Sequence, residues 1–99
     1  MSKKLVVTFA ESAVLDLEDI RDYYQEQHVP EIGERFLREI VALVEELPTH
    51  PDRGRMVPEF NQPSLRELIH PPFRIVYRRG EQRIAIVRVW RSERLMKLP

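Results

Sequence analysis

Hydrophobic positions recur with two different periods along the chain, and each period predicts a different element. Residues 5–9 are β-branched and aromatic, which is typical of a short strand. Two stretches then repeat apolar residues every three to four positions, as one face of a helix does. The first follows Ser12, a candidate N-cap, and ends near His28 because Pro30 restricts the residue before it. The second opens at Pro30 and ends at Pro48, so the two predict an antiparallel helical hairpin.

The second half of the chain has the pattern of strands. After a proline-rich segment without periodicity, residues 48–64, three β-branched and aromatic runs follow, at 65–69, 73–79 and 84–90. Short turns join these runs and predict an antiparallel meander. The order β-α-α-β-β-β therefore predicts an α+β fold in a single domain spanning residues 1–99. Its helical hairpin is expected to pack on one face of a mostly antiparallel four-stranded sheet.

Composition agrees with one folded domain and excludes several kinds of site. The 99 residues are 42% hydrophobic and 32% charged, which is too apolar for a disordered chain. The absence of cysteine excludes disulfides and thiolate metal sites, and the three histidines have no ligand spacing, so we expect no metal and no cofactor. No apolar run approaches the roughly 20 residues of a membrane span, and residues 1–10 lack a signal-peptide pattern. The expected location is the cytoplasm, without membrane contact.

The net charge of zero conceals an uneven distribution. Residues 1–50 carry 5 basic and 11 acidic side chains, a net charge of −6, and residues 51–99 carry 11 and 5, a net charge of +6. Thirteen of the 16 basic residues are arginines, which suit bidentate contacts with phosphate or carboxylate. This pattern indicates either a basic surface that meets an anionic partner or a solvated sheet face balanced by acidic helices.

The candidate binding residues follow from the register that the predicted turns imply. Three-residue turns on both sides of the middle strand place Arg74 opposite Arg88, and Leu68 opposite Arg74. One face of the sheet then presents Arg66, Arg74, Arg78, Arg88 and Trp90. Like charges facing each other across strands are unfavourable unless an anion neutralises them, so this set is our candidate binding site. A different turn length would reverse the parity of a strand and separate the set.

A series of short motifs runs through nearly the whole chain, from about Val6 to Arg94. In order, they are Ala13…Asp16-Leu17…Ile20…Tyr23-Tyr24, His50-Pro51…Gly54-Arg55, Val57-Pro58-Glu59, Leu65-Arg66-Glu67-Leu68, Phe73-Arg74-Ile75-Val76-Tyr77 and Arg88-Val89-Trp90. Their order and spacing resemble the RelE/ParE superfamily of bacterial toxins. The resemblance implies the same β-α-α-β-β-β fold, a role in a type II toxin–antitoxin (plasmid stabilisation) module, and a small antitoxin as protein partner.

RelE-like members of that superfamily cleave mRNA on the ribosome, and this sequence departs from their pattern. Their two strand lysines fall at about Leu65 and Glu67, a further arginine falls near Ser92, and the catalytic tyrosine falls near Leu98. Of the RelE positions compared, only the one at Arg74 has the matching residue in this sequence.

YoeB-like members use a glutamate base and an arginine, which resemble Glu59 and Arg74. The histidine that acts as general acid in those members falls at Trp90, and their final tyrosine falls at Arg91. A tryptophan cannot act as a general acid near neutral pH. A ribosome-dependent mRNA endoribonuclease is therefore the alternative function, with Glu59 and Arg74 as candidate catalytic residues and no proton donor.

Two parts of the chain look more like the ParE branch, namely the stretch from Pro48 to Arg55 and the Arg-Val-Trp end of the last strand. ParE toxins are implied to bind DNA gyrase and trap its cleaved DNA complex, a mechanism that needs no catalytic residue in the toxin. We therefore expect a gyrase-poisoning toxin rather than an enzyme, with DNA gyrase as target and the ribosome with its mRNA as the alternative.

Overall fold

A computed structural model describes residues 5–92, which form two helices and a five-stranded sheet. In chain order the elements are β1 (Val6–Phe9), α1 (Glu11–Glu26), α2 (Pro30–Glu45), β2 (Arg55–Met56), β3 (Leu65–His70), β4 (Phe73–Arg79) and β5 (Arg83–Arg91). The strand order is β1-β5-β4-β3-β2, with β1 parallel to β5 and the other neighbours antiparallel. The predicted α+β fold is confirmed. The predicted strand count of four is wrong by one, because Arg55 and Met56 in the long loop pair with β3.

Both helices lie on one side of the sheet, called here the helix face. The apolar stripes of the helices meet alternate strand residues there, and the core contains Ala13, Ile20, Ile40, Val44, Ile75, Tyr77, Ile84 and Ile86. The two helices approach closely at Gly33, where a Cβ atom would lie 2.9 Å from the Cβ of Tyr24. A larger residue at Gly33 would therefore push the helices apart. No helix within residues 5–92 is long and apolar enough to cross a membrane.

Helix α1 completes the edge of β5 beyond the end of β1. Strand β1 pairs with β5 only as far as Ile86, whose carbonyl also accepts a hydrogen bond from the Ala10 amide. The Ser12 hydroxyl then donates to the Val87 carbonyl at 2.7 Å, so Ser12 is not the predicted cap, and Ala10 stands at the N-cap position. One turn later, the Asp16 carboxylate accepts from the Val89 amide at 2.8 Å. Two side chains on one face of α1 thus satisfy backbone groups that a neighbouring strand would otherwise pair.

The turn between β3 and β4 is shorter than predicted, which changes the face on which one arginine lies. His70 pairs with Phe73, so two residues separate the paired positions, and Ile69 rather than Leu68 stands opposite Arg74. A one-residue change of register exchanges the two faces of a strand. Arg66 therefore stands opposite Tyr77 on the helix face, and the prediction that it shares a face with Arg74 is wrong.

The turn between β4 and β5 is one residue longer than predicted, which by itself would exchange the two faces of β5. A bulge in β5 reverses that exchange. Near that turn Arg79 pairs with Ile84, one position away from the predicted partner. The register then shifts by one residue between Val76 and Tyr77. Beyond the shift Arg74 stands opposite Trp90, and Val76 stands opposite Arg88. The predicted pairing of Arg74 with Arg88 is wrong by two positions, an even number. Arg74, Arg88 and Trp90 therefore share the side of the sheet opposite the helices, called here the outer face.

Part of the outer face is covered by the loop that follows β2. Val57 at its start is buried against Leu65 of β3 and Val76 of β4, and Phe60 packs against the same cluster. This second small core folds the segment 57–64 back over the sheet. Glu59, between the two anchoring residues, is thereby brought above Arg74.

Candidate functional site

The candidate site is a network of four charged side chains on the outer face, centred on Arg74. The Arg74 Nε donates to Glu67 Oε1 at 2.6 Å. Its two terminal nitrogens donate to the two oxygens of Glu59 at 2.8 and 2.9 Å. The second oxygen of Glu67 accepts from the Arg55 Nε at 2.6 Å. Arg55, Glu67, Arg74 and Glu59 form this ion network, in which two guanidinium groups are balanced by two carboxylates.

Two members of the ion network, Glu67 and Arg74, are buried, and the other two are exposed. The Glu67 side chain is 0% exposed and that of Arg74 is 10% exposed, whereas Glu59 is 41% exposed and Arg55 is 60% exposed. A buried carboxylate is costly unless it is paired and hydrogen-bonded, and Glu67 has one guanidinium on each oxygen. The buried pair therefore fixes the Arg74 fork, and the fork in turn holds Glu59 of the loop.

The ion network shifts two protonation equilibria in the direction that keeps both charges. Hydrogen bonding to Glu59, and then to Glu67, raises the pKa of Arg74 against the opposing effect of burial. Hydrogen bonding from Arg74 lowers the pKa of Glu59 below its ordinary value of 4.5. Both groups are therefore fully charged at neutral pH. A carboxylate stabilised in this way is a weak proton acceptor.

The ion network borders an open cleft of about 520 Å³ that is also lined by Ile69 and Ser92. None of its lining residues is a histidine or a tyrosine. The Ser92 hydroxyl donates to the Pro72 carbonyl at 3.1 Å. Within residues 5–92, the cleft thus holds no group that titrates as a general acid near neutral pH. The described residues also contain no group of three side chains suited to a metal ion.

Trp90 stands opposite Arg74 of the ion network, and its neighbour Arg88 is bound to helix α1. The Arg88 guanidinium carbon lies 4.2 Å from the centroid of the Trp90 ring, within cation–π distance. Arg88 also donates to the Asp16 carboxylate from Nε at 2.7 Å and from Nη2 at 2.9 Å. The Trp90 side chain is buried. Its ring therefore packs within the fold and supports Arg88.

The five predicted binding residues fall into three environments. Arg74, Arg88 and Trp90 lie together on the outer face, and both arginines are bound to carboxylates of the same chain. Arg66 lies on the helix face, where its Nη1 donates to the Gly54 carbonyl at 2.9 Å. Arg78 is on the outer face but exposed, away from the ion network.

Sequence reasoning missed three carboxylate and guanidinium partners, namely Glu67, Arg55 and Asp16. The parity of the β3–β4 turn, which decides whether Arg66 or Glu67 faces Arg74, would have identified the first of them. Glu59, a candidate base in the sequence, is in the ion network as the exposed partner of Arg74. Leu98, at the position of the RelE tyrosine, lies outside the described residues.

Comparison with known proteins gives the family of this chain. Residues 7–96 match the family described as the ParE toxin of the type II toxin–antitoxin system, parDE. No curated protein matches the chain. Among solved structures, the chromosomal ParDE toxin–antitoxin system from P. aeruginosa contains a similar chain, with 28% identity and a TM-score of 0.77 over 93% of this chain and 100% of that one.

The toxin–antitoxin complex RelBE2 from Mycobacterium tuberculosis contains a chain with the same fold. Its identity is 19% and its TM-score is 0.66, over 89% of this chain and 98% of that one. The family match, in contrast, covers the described fold from β1 to β5 together with the ion network. The chain belongs to the ParE toxin family of type II toxin–antitoxin systems.

Proposed function

We propose that this ParE-family toxin stops growth by binding DNA gyrase and trapping its cleaved complex with DNA, and that a cognate antitoxin neutralises it. The observation that supports this choice over mRNA cleavage is the closed ion network. The candidate base, Glu59, and the candidate catalytic arginine, Arg74, are bound to each other by two hydrogen bonds. A toxin that acts by binding needs neither group to be available.

Ribonuclease chemistry would require three roles in the cleft beside the ion network. A base must remove the proton of a 2′-hydroxyl, a cation must stabilise the pentacovalent phosphate, and an acid must protonate the leaving oxygen. Glu59 is a weak base because its pKa is lowered, and both terminal nitrogens of Arg74 already donate to Glu59. Within the described residues, no group besides Glu59 that could act as a general acid lines the cleft. General acid and base groups each contribute about 10²–10⁴-fold, so we expect negligible cleavage.

The proposed partner is an antitoxin of the kind present in the similar ParDE system from P. aeruginosa. The uneven charge of this chain, −6 in residues 1–50 and +6 in residues 51–99, offers both acidic and basic surfaces to such a partner. An adjacent reading frame that encodes a short protein with a DNA-binding N-terminal region is expected next to the gene for this chain.

The decisive experiment follows DNA breaks and mRNA cleavage in the same induced culture. We expect gyrase-dependent double-strand breaks and filamentation with intact mRNA. Glu59→Gln removes the candidate base, and Glu45→Gln, on the exposed side of α2, is the matched control. Both variants should inhibit growth as the wild type does.

Two results would overturn the proposal. The first is prompt cleavage of mRNA on translating ribosomes in the absence of DNA breaks. The second is a Glu59→Gln variant that is harmless although it is folded and binds antitoxin, since Glu59 would then be catalytic. Circular dichroism and antitoxin co-purification provide the two checks on folding and binding.

A further inference from the structure

Two arginines of the outer face differ from all the others there. Arg78 and Arg83 are exposed, and neither side chain forms a hydrogen bond or an ion pair with any residue from 5 to 92. Arg74 and Arg88, on the same face, each have a carboxylate partner within the chain. The positive charge of the outer face is therefore concentrated where Arg78 and Arg83 lie.

The register of three strands places these two arginines side by side. Arg78 of β4 stands opposite Ala85 of β5, and Arg83 lies two positions before Ala85 on the same face. Such diagonal neighbours are about 7–8 Å apart. On the other side of β5, Arg83 stands beside Val6, and Ala85 stands beside Thr8. Val6, Thr8, Arg78, Arg83 and Ala85 form what we call the sheet corner.

The sheet corner is open to solvent. The loop that covers the outer face packs on Leu65 and Val76, and Val6 at the sheet corner remains 58% exposed. Thr8 is also exposed, and Ala85 is partly exposed, so no large side chain separates the two arginines. One extended ligand could therefore contact both guanidinium groups at once.

The chemistry of the sheet corner fits phosphate groups. Guanidinium groups bind phosphate through two parallel hydrogen bonds, and a threonine hydroxyl is a common additional donor to a phosphate oxygen. None of the five residues is acidic, and the nearest carboxylate along the chain, that of Glu81, belongs to the turn between Arg78 and Arg83. The acidic helices lie on the opposite side of the sheet, so a polyanion would meet this side first.

Two other kinds of partner fit less well. Interfaces with proteins depend on buried aromatic or large apolar anchors, and Val6 is the largest apolar residue of the sheet corner. Single-stranded nucleic acid is bound by stacking of its bases on aromatic side chains, and no sheet-corner residue is aromatic. A backbone contact to a duplex needs neither feature.

We propose that the sheet corner binds the phosphodiester backbone of duplex DNA, with Arg78 and Arg83 each holding one phosphate. The choice of DNA rests on the proposed function, because a trapped gyrase complex places cleaved duplex DNA beside the toxin. Two phosphate contacts give weak, sequence-independent binding. The logarithm of the binding constant should fall with the logarithm of salt concentration with a slope of about −2, since each contact contributes about −0.9.

The test measures binding of the full-length toxin to a fluorescent DNA duplex of arbitrary sequence by anisotropy, across a series of salt concentrations. The double variant Arg78→Gln/Arg83→Gln should lose at least about tenfold in affinity at low salt, and its slope should approach zero. The matched control for charge is Arg35→Gln/Arg38→Gln, which removes two exposed arginines from α2. It should bind as the wild type does.

Three results would overturn the inference. They are equal slopes for the wild type and the double variant, tighter binding to an RNA hairpin than to the DNA duplex, and a double variant that loses antitoxin affinity while keeping DNA affinity. A gyrase cleavage assay run in parallel separates this inference from the proposed function. Unchanged gyrase trapping with equal slopes rejects the inference alone, whereas absent trapping with a slope lost in the double variant rejects the proposed function alone.

Discussion

Removal of one buried hydroxyl, in the variant Tyr77→Phe, should destabilise the fold strongly. The Tyr77 ring is 0% exposed, and its hydroxyl donates to the Pro51 carbonyl at 2.8 Å and accepts from the Gly54 amide at 2.9 Å. Phenylalanine keeps the ring but leaves the buried Gly54 amide without its acceptor. An unsatisfied buried donor costs about 1–3 kcal/mol, and the partly buried Pro51 carbonyl adds less because water can reach it. We expect a loss of about 2 kcal/mol in the free energy of unfolding.

Urea denaturation measures this loss as a lower midpoint with an unchanged slope. In a domain of this size, about 2 kcal/mol corresponds to a decrease of about 8–16 °C in Tm. Tyr23→Phe is the matched control, because it removes the same atom from a side chain that is 48% exposed. That variant should remain within about 0.5 kcal/mol of the wild type. Equal stability of the two variants would refute the argument that Tyr77 ties the loop before β2 to the core.

The same hydroxyl gives a test at alkaline pH. Burial raises the pKa of Tyr77 above its ordinary value of 10.0, so the folded state favours the protonated phenol. The stability due to this group is therefore complete below about pH 10 and is lost as the pH rises through the raised pKa. The difference in unfolding free energy between wild type and Tyr77→Phe should be constant from pH 7 to 9 and should decrease above pH 10. A difference that grows above pH 10 would contradict this assignment.

Three further variants test the other polar contacts of the outer face. Glu67→Gln removes the charge between two guanidinium groups and should cost about 3 kcal/mol in urea denaturation, as broken buried ion pairs do. Asp16→Ala should cost about as much, because it removes three hydrogen bonds at the β5 edge, whereas Asp19→Ala on the exposed side of α1 should be nearly neutral. The lowered pKa of Glu59 contributes stability above about pH 4.5 that is lost as the pH falls, so the stability difference between wild type and Glu59→Gln should shrink on acidification.

The fold was predictable from the sequence because its signals are local. Apolar spacing identified both helices, Pro30 began the second helix, and β-branched runs identified four strands. Strand β2 was missed because two residues, Arg55 and Met56, carry no periodicity and pair only through contacts distant in sequence. Ser12 has the local signature of a cap, but its hydroxyl is drawn to β5 by tertiary packing.

The candidate site was only partly predictable because it depends on which face of the sheet each strand residue occupies. Two turn lengths and one bulge decide which side chains share a face, and none of the three is encoded by composition. The predicted grouping of Arg74 with Trp90 survives because the longer turn and the bulge cancel. The grouping with Arg66 fails because no bulge compensates the shorter turn. The pairing of Arg74 with Glu59 could not be predicted either, because Glu59 contacts Arg74 only after an irregular loop folds back over the sheet.

The hydrogen bonds from α1 to the edge of β5 also bear on self-association. Unpaired backbone groups at a sheet edge invite strands of other molecules and promote aggregation. Here the second half of β5 has its edge groups bound by Ser12 and Asp16 of α1. The strands that remain at the two borders of the sheet, β1 and β2, are only four and two residues long. The free part of the edge of β5, the longest strand with nine residues, is thus covered by two polar side chains, which leaves fewer backbone groups available for pairing with a strand of another molecule.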